Sequence, residues 1–89
     1  MSALHVSVVS ADQEIWTGTA SMVVAKTTEG EIGILPGHEP LLAILSAGEV
    51  RITTAGGVPA VRAKAEDGFL SVEHDTVTIV ARRAALVTG

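Results

Sequence analysis

Cysteine is absent from this 89-residue chain. That excludes disulfides, thiolate metal sites and thiol nucleophiles. Aromatic residues are nearly absent: one Trp (Trp16), one Phe (Phe69) and no Tyr. Without stacking platforms, single-stranded nucleic acid is a poor partner, and the core must be built from Val, Ile, Leu and Ala. Basic residues are also scarce, 6 Lys and Arg against 10 Asp and Glu, for a formal net charge of -4. A phosphate backbone needs clustered cations, so the balance speaks against nucleic acid altogether. Long apolar runs are missing too. The longest, Leu41 to Leu45, is far short of the roughly 20 residues a membrane helix needs. No charged segment precedes an apolar stretch at the start, so no signal peptide is read there. These features predict a soluble, cytoplasmic domain without direct membrane insertion.

The chain nevertheless has what a core requires, an apolar fraction of 47%, too high for a disordered segment. Its length makes one domain with a single core and no deep cleft. Period-two patterning dominates. Leu4, Val6 and Val8 alternate with His5 and Ser7, and Val50 and Ile52 with Glu49, Arg51 and Thr53. Val61, Ala63 and Ala65 alternate with Arg62 and Lys64, Leu70 and Val72 with Ser71 and Glu73, and Val77 and Ile79 with Thr76 and Thr78. Alternation of this kind marks half-buried antiparallel strands. Turns are read at Ala11-Asp12-Gln13, Glu29-Gly30-Glu31, Pro36 to Pro40, Ala55-Gly56-Gly57, Glu66-Asp67-Gly68 and Glu73-His74-Asp75. Short strands at this spacing predict an all-β sandwich or barrel. Two segments break the pattern. Ser21 to Lys26 places apolar side chains on both faces, and Pro40 to Leu45 is continuous. Each reads either as an element buried on both sides (for the second, a strand or a short helix) or as one whose outer face docks a partner. On the second reading Met22, Val24, Leu42 and Leu45 form an apolar patch.

Catalytic chemistry has little to work with. The imidazoles are His5, His38 and His74; none has a helical i, i+4 companion for a metal, and no Ser-His-acid order is evident. The close carboxylates Glu29/Glu31 and Glu66/Asp67 flank turns, where such pairs are solvated. Gly30-Glu31-Ile32-Gly33 lacks the Lys-Ser/Thr ending of a phosphate loop. A biotinyl or lipoyl carrier would need a lysine on a hairpin tip, whereas Lys26 and Lys64 fall inside strands. Catalytic residues, cofactor and metal are all expected to be none.

One contiguous stretch is more specific. Gly30-Glu31-Ile32-Gly33-Ile34-Leu35-Pro36-Gly37-His38-Glu39-Pro40-Leu41-Leu42 resembles the signature of the epsilon subunit of F-type ATP synthase. Leu4 to Ser10 resembles that family's first strand, and Ile15-Trp16-Thr17-Gly18 its hydrophobic-aromatic-x-Gly step. Gly68 to Val72 and Val77 to Ala81 resemble its last two strands, and the wording around Trp16 and Thr27 resembles actinobacterial members. The sequence departs from the family at Asp67-Gly68, where Gly-Gly is common, and at Arg82-Arg83, where an acidic residue often stands.

The resemblance implies a ten-stranded antiparallel β-sandwich over residues 1–83. Residues 84–89 would be a short arm where the family usually continues into a C-terminal helical hairpin, here absent. It implies a non-catalytic rotor subunit of the central stalk, peripheral on the cytoplasmic side of the bacterial plasma membrane. There it would dock on the gamma subunit and on the polar loops of the c-ring. By family position Glu31, with its neighbours Glu29, Gly33 and Ile34, faces the c-ring loops. Pro36, Gly37, His38 and Pro40 form a rigid loop near gamma, with Leu42 and Met22 as apolar contacts. Regulation by an inserted helix and ATP binding belong to the hairpin, so neither is expected of this chain. A sandwich-type interaction or carrier module unrelated to ATP synthase would explain the patterning but not the central motif.

Overall fold

A computed structural model describes residues 3–11, 13–46, 48–54 and 61–87. These residues form seven strands and no helix. The strands are β1 (Leu4–Ser10), β2 (Gln13–Thr27), β3 (Gly30–Ile34), β4 (Leu41–Ile44), β5 (Gly48–Thr54), β6 (Val61–Glu73) and β7 (Thr76–Leu86). The hydrogen-bonded order is β1-β7-β6-β5-β2-β3, with β4 on β6 and β1 also on β2. Because β1 pairs with β2 as well as with β7, five strands close into a flattened ring, and β3 and β4 extend it. One layer holds β1, the first half of β2, the second half of β6, β4 and most of β7. The other holds β3, β5, the second half of β2, the first half of β6 and the end of β7.

The alternation read in the sequence is the alternation of burial. Leu4, Val6, Val8, Ile52, Leu70, Val72, Val77 and Ile79 are buried with Val23, Ile34 and Val50. Among the described residues, all buried apolar ones are Leu, Val, Ile or Ala, as the shortage of aromatics requires. Each fully buried branched side chain contributes about 1.5–3 kcal/mol. Trp16 lies against this core with its ring over Gly18, where a Cβ would sit 2.8 Å from the indole.

The strand count differs from ten because three strands serve both layers. In β6 the buried residues are Ala63 and Ala65, then Leu70 and Val72, so the inward parity changes between them. The same change separates Ala81 from Ala84 in β7, and Ala20 from Val23 in β2, where the register shifts between Ala20 and Met22. Period two makes each such change a transfer of the strand to the other layer. Glu66-Asp67-Gly68, expected as a turn, is one of these bends inside continuous β6. Asp67 has φ 55° there, yet β7 pairs on both sides, Glu66 with Arg83 and Gly68 with Ala81. A Cβ on Gly68 would lie 1.8 Å from the Val80 carbonyl oxygen, so the two backbones meet there only because position 68 is glycine.

Other expectations need correction. The pairing is not wholly antiparallel: β1 and β7 run parallel, His5 opposite Thr76 and Ser10 opposite Ala81. Parallel neighbours need a long connection, and the rest of the chain supplies it. Residues 84–86, assigned to an arm, continue β7 opposite Ala63, Lys64 and Ala65, and Val87 N–H donates to the Arg62 carbonyl at 2.9 Å. Pro40 to Leu45 resolves as strand β4 and not as a helix, with Leu42 and Ile44 outward. The turn read at residues 29–31 sits one residue earlier, at Thr28-Glu29. The turn at Ala55-Gly56-Gly57 and position 12 of the first turn lie outside the described residues.

Candidate docking surfaces

The β2–β3 hairpin carries the acidic corner. Thr27 pairs with Gly30, which has φ 117°. The buried Thr27 hydroxyl donates to the Gly30 carbonyl at 2.7 Å and accepts from Glu29 N–H at 3.2 Å. Thr28 N–H donates to the Ile44 carbonyl at 3.0 Å, which ties the tip to β4. The turn is therefore fixed, and Glu29 and Glu31 project from a defined frame, both exposed. Strand alternation puts Glu31 and Gly33 outward, with Ile32 and Ile34 inward. Ile34 is fully buried between Val23 and the rest of the core, so its side chain is a packing residue and not a contact. Gly33 is open, with nothing within 4 Å of a Cβ built on it.

Glu31 has an internal partner that sequence reasoning missed. Arg51 Nη2 lies 3.3 Å from Glu31 Oε2. Arg51 on β5 shares its rung with Val24 on β2, and Val24 shares its rung with Gly33 on β3. The guanidinium thus reaches across β2 past Val24 toward β3, where Gly33 leaves the outer face beside Glu31 without a side chain. Both groups are more than half exposed, 52% and 61%, so the pair is worth about 0–1 kcal/mol and chiefly sets direction. The outward position of Arg51 was readable, but not that a single strand, β2, separates β5 from the acid.

The Pro36–Pro40 segment begins with a tight turn. His38 N–H donates to the Leu35 carbonyl at 3.1 Å, and Gly37 has φ 87°. Proline at the second place and a left-handed glycine at the third are the requirements of a type II turn. Gly37 N–H donates to Asp75 Oδ1 at 2.7 Å, and His38 Nδ1 lies 2.6 Å from the Glu39 carbonyl oxygen. Pro36 and His38 are half-buried, whereas Gly37 and Pro40 are exposed.

The four apolar residues read as one patch are not together. Leu45 is buried, drawn in by its bridge to Thr27. Met22 and Val24 are half-buried on the outward face of β2, beside Gly33 and Arg51. Leu42, 68% exposed, is on β4 in the other layer. There the structure shows an apolar row the sequence did not. Ile44, Phe69, Val80 and Val9 are consecutive rung partners across β4, β6, β7 and β1. Ile44 is 58% exposed and Phe69 39%. Leu42 lies two residues along from Ile44 on the same face, which enlarges the row into a surface of the kind that marks interaction sites. Lys26 and Lys64 sit within strands opposite Glu31 and Glu49, not on a hairpin tip, so the carrier reading gains nothing.

Comparison with known proteins bears on the family and the fold. The chain is 54% identical over 87 residues to the ATP synthase epsilon chain of Micrococcus luteus, covering 97% of this chain and 93% of that one. It is 48% identical over 84 residues to the ATP synthase epsilon chain of Frankia casuarinae, covering 93% and 96%. Its fold matches a chain in the Euglena gracilis mitochondrial ATP synthase OSCP/F1/c-ring structure with a TM-score of 0.89 at 24% identity, over 97% of this chain and 54% of that one. Residues 3–87 match the family model described as ATP synthase, Delta/Epsilon chain, beta-sandwich domain, and the chain belongs to that family.

Proposed function

We propose that the chain is a non-catalytic rotor subunit of the central stalk of a proton-translocating ATP synthase. It docks on the gamma subunit and on the c-ring polar loops, on the cytoplasmic side of the plasma membrane. Family membership over nearly the whole chain carries this reading. The two kinds of outer surface on one closed fold support it. The charged corner of Glu29 and Glu31, with the open backbone at Gly33, suits basic polar loops of a c-ring. The Pro36–Pro40 loop, with Pro36, Gly37, His38 and Pro40, adjoins the Leu42, Ile44 and Phe69 surface, and together these suit gamma. Met22 borders the charged corner and extends it with apolar area. Ile34 acts from within, holding β3 at the correct height.

The test is reconstitution. The 89-residue chain, mixed with gamma and then with detergent-solubilised c-rings, should form a stoichiometric complex on size exclusion. The gamma complex should survive salt that weakens the c-ring contact, because apolar burial is not screened. No complex with either partner would overturn the reading.

A further inference from the structure

The hairpin between β6 and β7 is built in a costly way. Glu73 pairs with Thr76, so His74 and Asp75 are its two central residues, with φ 49° and 59°. Two-residue hairpins of this hand favour Asn-Gly or Asp-Gly, since positive φ suits glycine. Asp75 occupies the second place instead, and its groups are used. Its carbonyl accepts from His5 N–H at 2.8 Å, fixing the turn to the start of β1. Its carboxylate oxygen accepts from Gly37 N–H at 2.7 Å, 38 residues away in sequence. Gly37 is the left-handed residue of the Leu35–His38 turn, and four residues on the chain enters β4 at Leu41, opposite Val72. Asp75 thus joins β1, the β6–β7 turn and the loop that leads into β4.

We propose that Asp75 is a positioning residue for docking: its carboxylate latches the Pro36–Pro40 loop onto the β6–β7 turn and so sets the approach of that loop and of Leu42 to a protein partner. The positioning role rests on the proposed docking of gamma at this surface; the latch itself does not. A turn that needed only its backbone shape would be served better by glycine at position 75. The side chain is what the glycine would lack, and it bonds the docking loop.

Two variants separate the roles. Asp75→Gly relieves the left-handed backbone and removes the acceptor, so it folds without the latch. Asp75→Asn keeps a side-chain carbonyl acceptor and tolerates positive φ. On the full 89-residue chain, amide hydrogen exchange at Gly37 should quicken by about three- to tenfold in Asp75→Gly, the worth of one ordinary hydrogen bond. Asp75→Asn should stay within about twofold of wild type, because the acceptor is retained. Calorimetric affinity for the gamma subunit should fall by a similar factor in Asp75→Gly and recover in Asp75→Asn, with the melting temperature of the Gly variant at or above wild type. Unchanged Gly37 exchange in Asp75→Gly sinks the latch. Faster exchange with unaltered gamma affinity sinks the positioning role. Failure of the wild-type chain to bind gamma removes the docking reading and the positioning role with it, while the exchange experiment still decides the latch.

Discussion

Replacing Gly68 by alanine should be among the most damaging single changes that add so little volume. The added Cβ would fall 1.8 Å from the Val80 carbonyl oxygen, 2.5 Å from Ala81 Cα and 2.7 Å from the Val80 carbonyl carbon. All three are backbone atoms, so no side chain can rotate aside. Ordinary contact requires roughly 3.5 Å, which means the two strands must part by more than about 1 Å at this rung. The ladder between Gly68 and Ala81 is then lost, and the Leu45 N–H bond to the Gly68 carbonyl, 2.9 Å long, is disturbed with it. Overpacking costs about 1–3 kcal/mol and each lost hydrogen bond about 1 kcal/mol, so with both bonds lost the total is about 3–5 kcal/mol. At about 4–8 °C per kcal/mol for a domain of this size, the melting temperature should fall by more than about 12 °C. The control is Gly33→Ala, where a Cβ meets nothing within 4 Å; its effect should stay within about 0.5 kcal/mol. Thermal unfolding followed by circular dichroism, with urea midpoints beside it, measures both. If Gly68→Ala melts within about 3 °C of wild type, or Gly33→Ala loses as much, close backbone approach is not what requires glycine at the bend.

Glu31→Lys should leave the melting temperature nearly unchanged, because its exposed pair with Arg51 is worth about 0–1 kcal/mol, but should weaken association with the c-ring at low salt; equal binding in pull-downs would refute the contact. Ile44→Asp, at an outward and 58% exposed position, should cost about tenfold or more in affinity for gamma by calorimetry with a shift in melting temperature of only a few degrees; unaltered affinity would move the gamma site elsewhere. Leu70→Ala, at a fully buried position, should lower the free energy of unfolding by about 2–5 kcal/mol, read from the urea midpoint through Trp16 fluorescence. A smaller loss would mean that the two layers collapse onto the vacancy.

The strands were legible because period two reports burial directly. Leu4, Val6 and Val8 alternate in sequence and alternate in the core. The same rule, applied within the central motif, would have separated Ile34 from Glu31 and Gly33: Ile32 and Ile34 share one parity and the acid and glycine the other. Reading the motif as a block obscured that. Bends were misread for a different reason. Asp67-Gly68 has the composition of a turn, and only the pairing of β7 on both sides distinguishes a kinked strand from a reversal. What depends on register was not legible at all. The row Ile44, Phe69, Val80 and Val9 draws one residue from each of four strands, and the Arg51–Glu31 pair spans a whole strand. Neither leaves a local pattern, because a sheet's neighbours are fixed by topology and not by sequence distance.

On the proposed docking, the register also accounts for how one small domain would serve two partners at once. Two separate sheets held only by side-chain packing could slide under load, since dispersion contacts are non-directional and individually weak. Here β2, β6 and β7 each belong to both layers, so a sliding motion must break ladder hydrogen bonds as well as core contacts. The charged corner on β3 is bonded to β2, β2 to β1 and β5, and the apolar row runs from β4 to β1. Every path from Glu31 to Ile44 therefore passes through continuous hydrogen-bonded backbone, with the Thr28 bond to the Ile44 carbonyl as the shortest. A subunit seated, as proposed, between a ring and a shaft would need that continuity more than it needs a large interface. The bends at Ala20–Met22 and Asp67–Gly68 are where the sequence secures it, by letting single strands turn the corner without leaving the ladder.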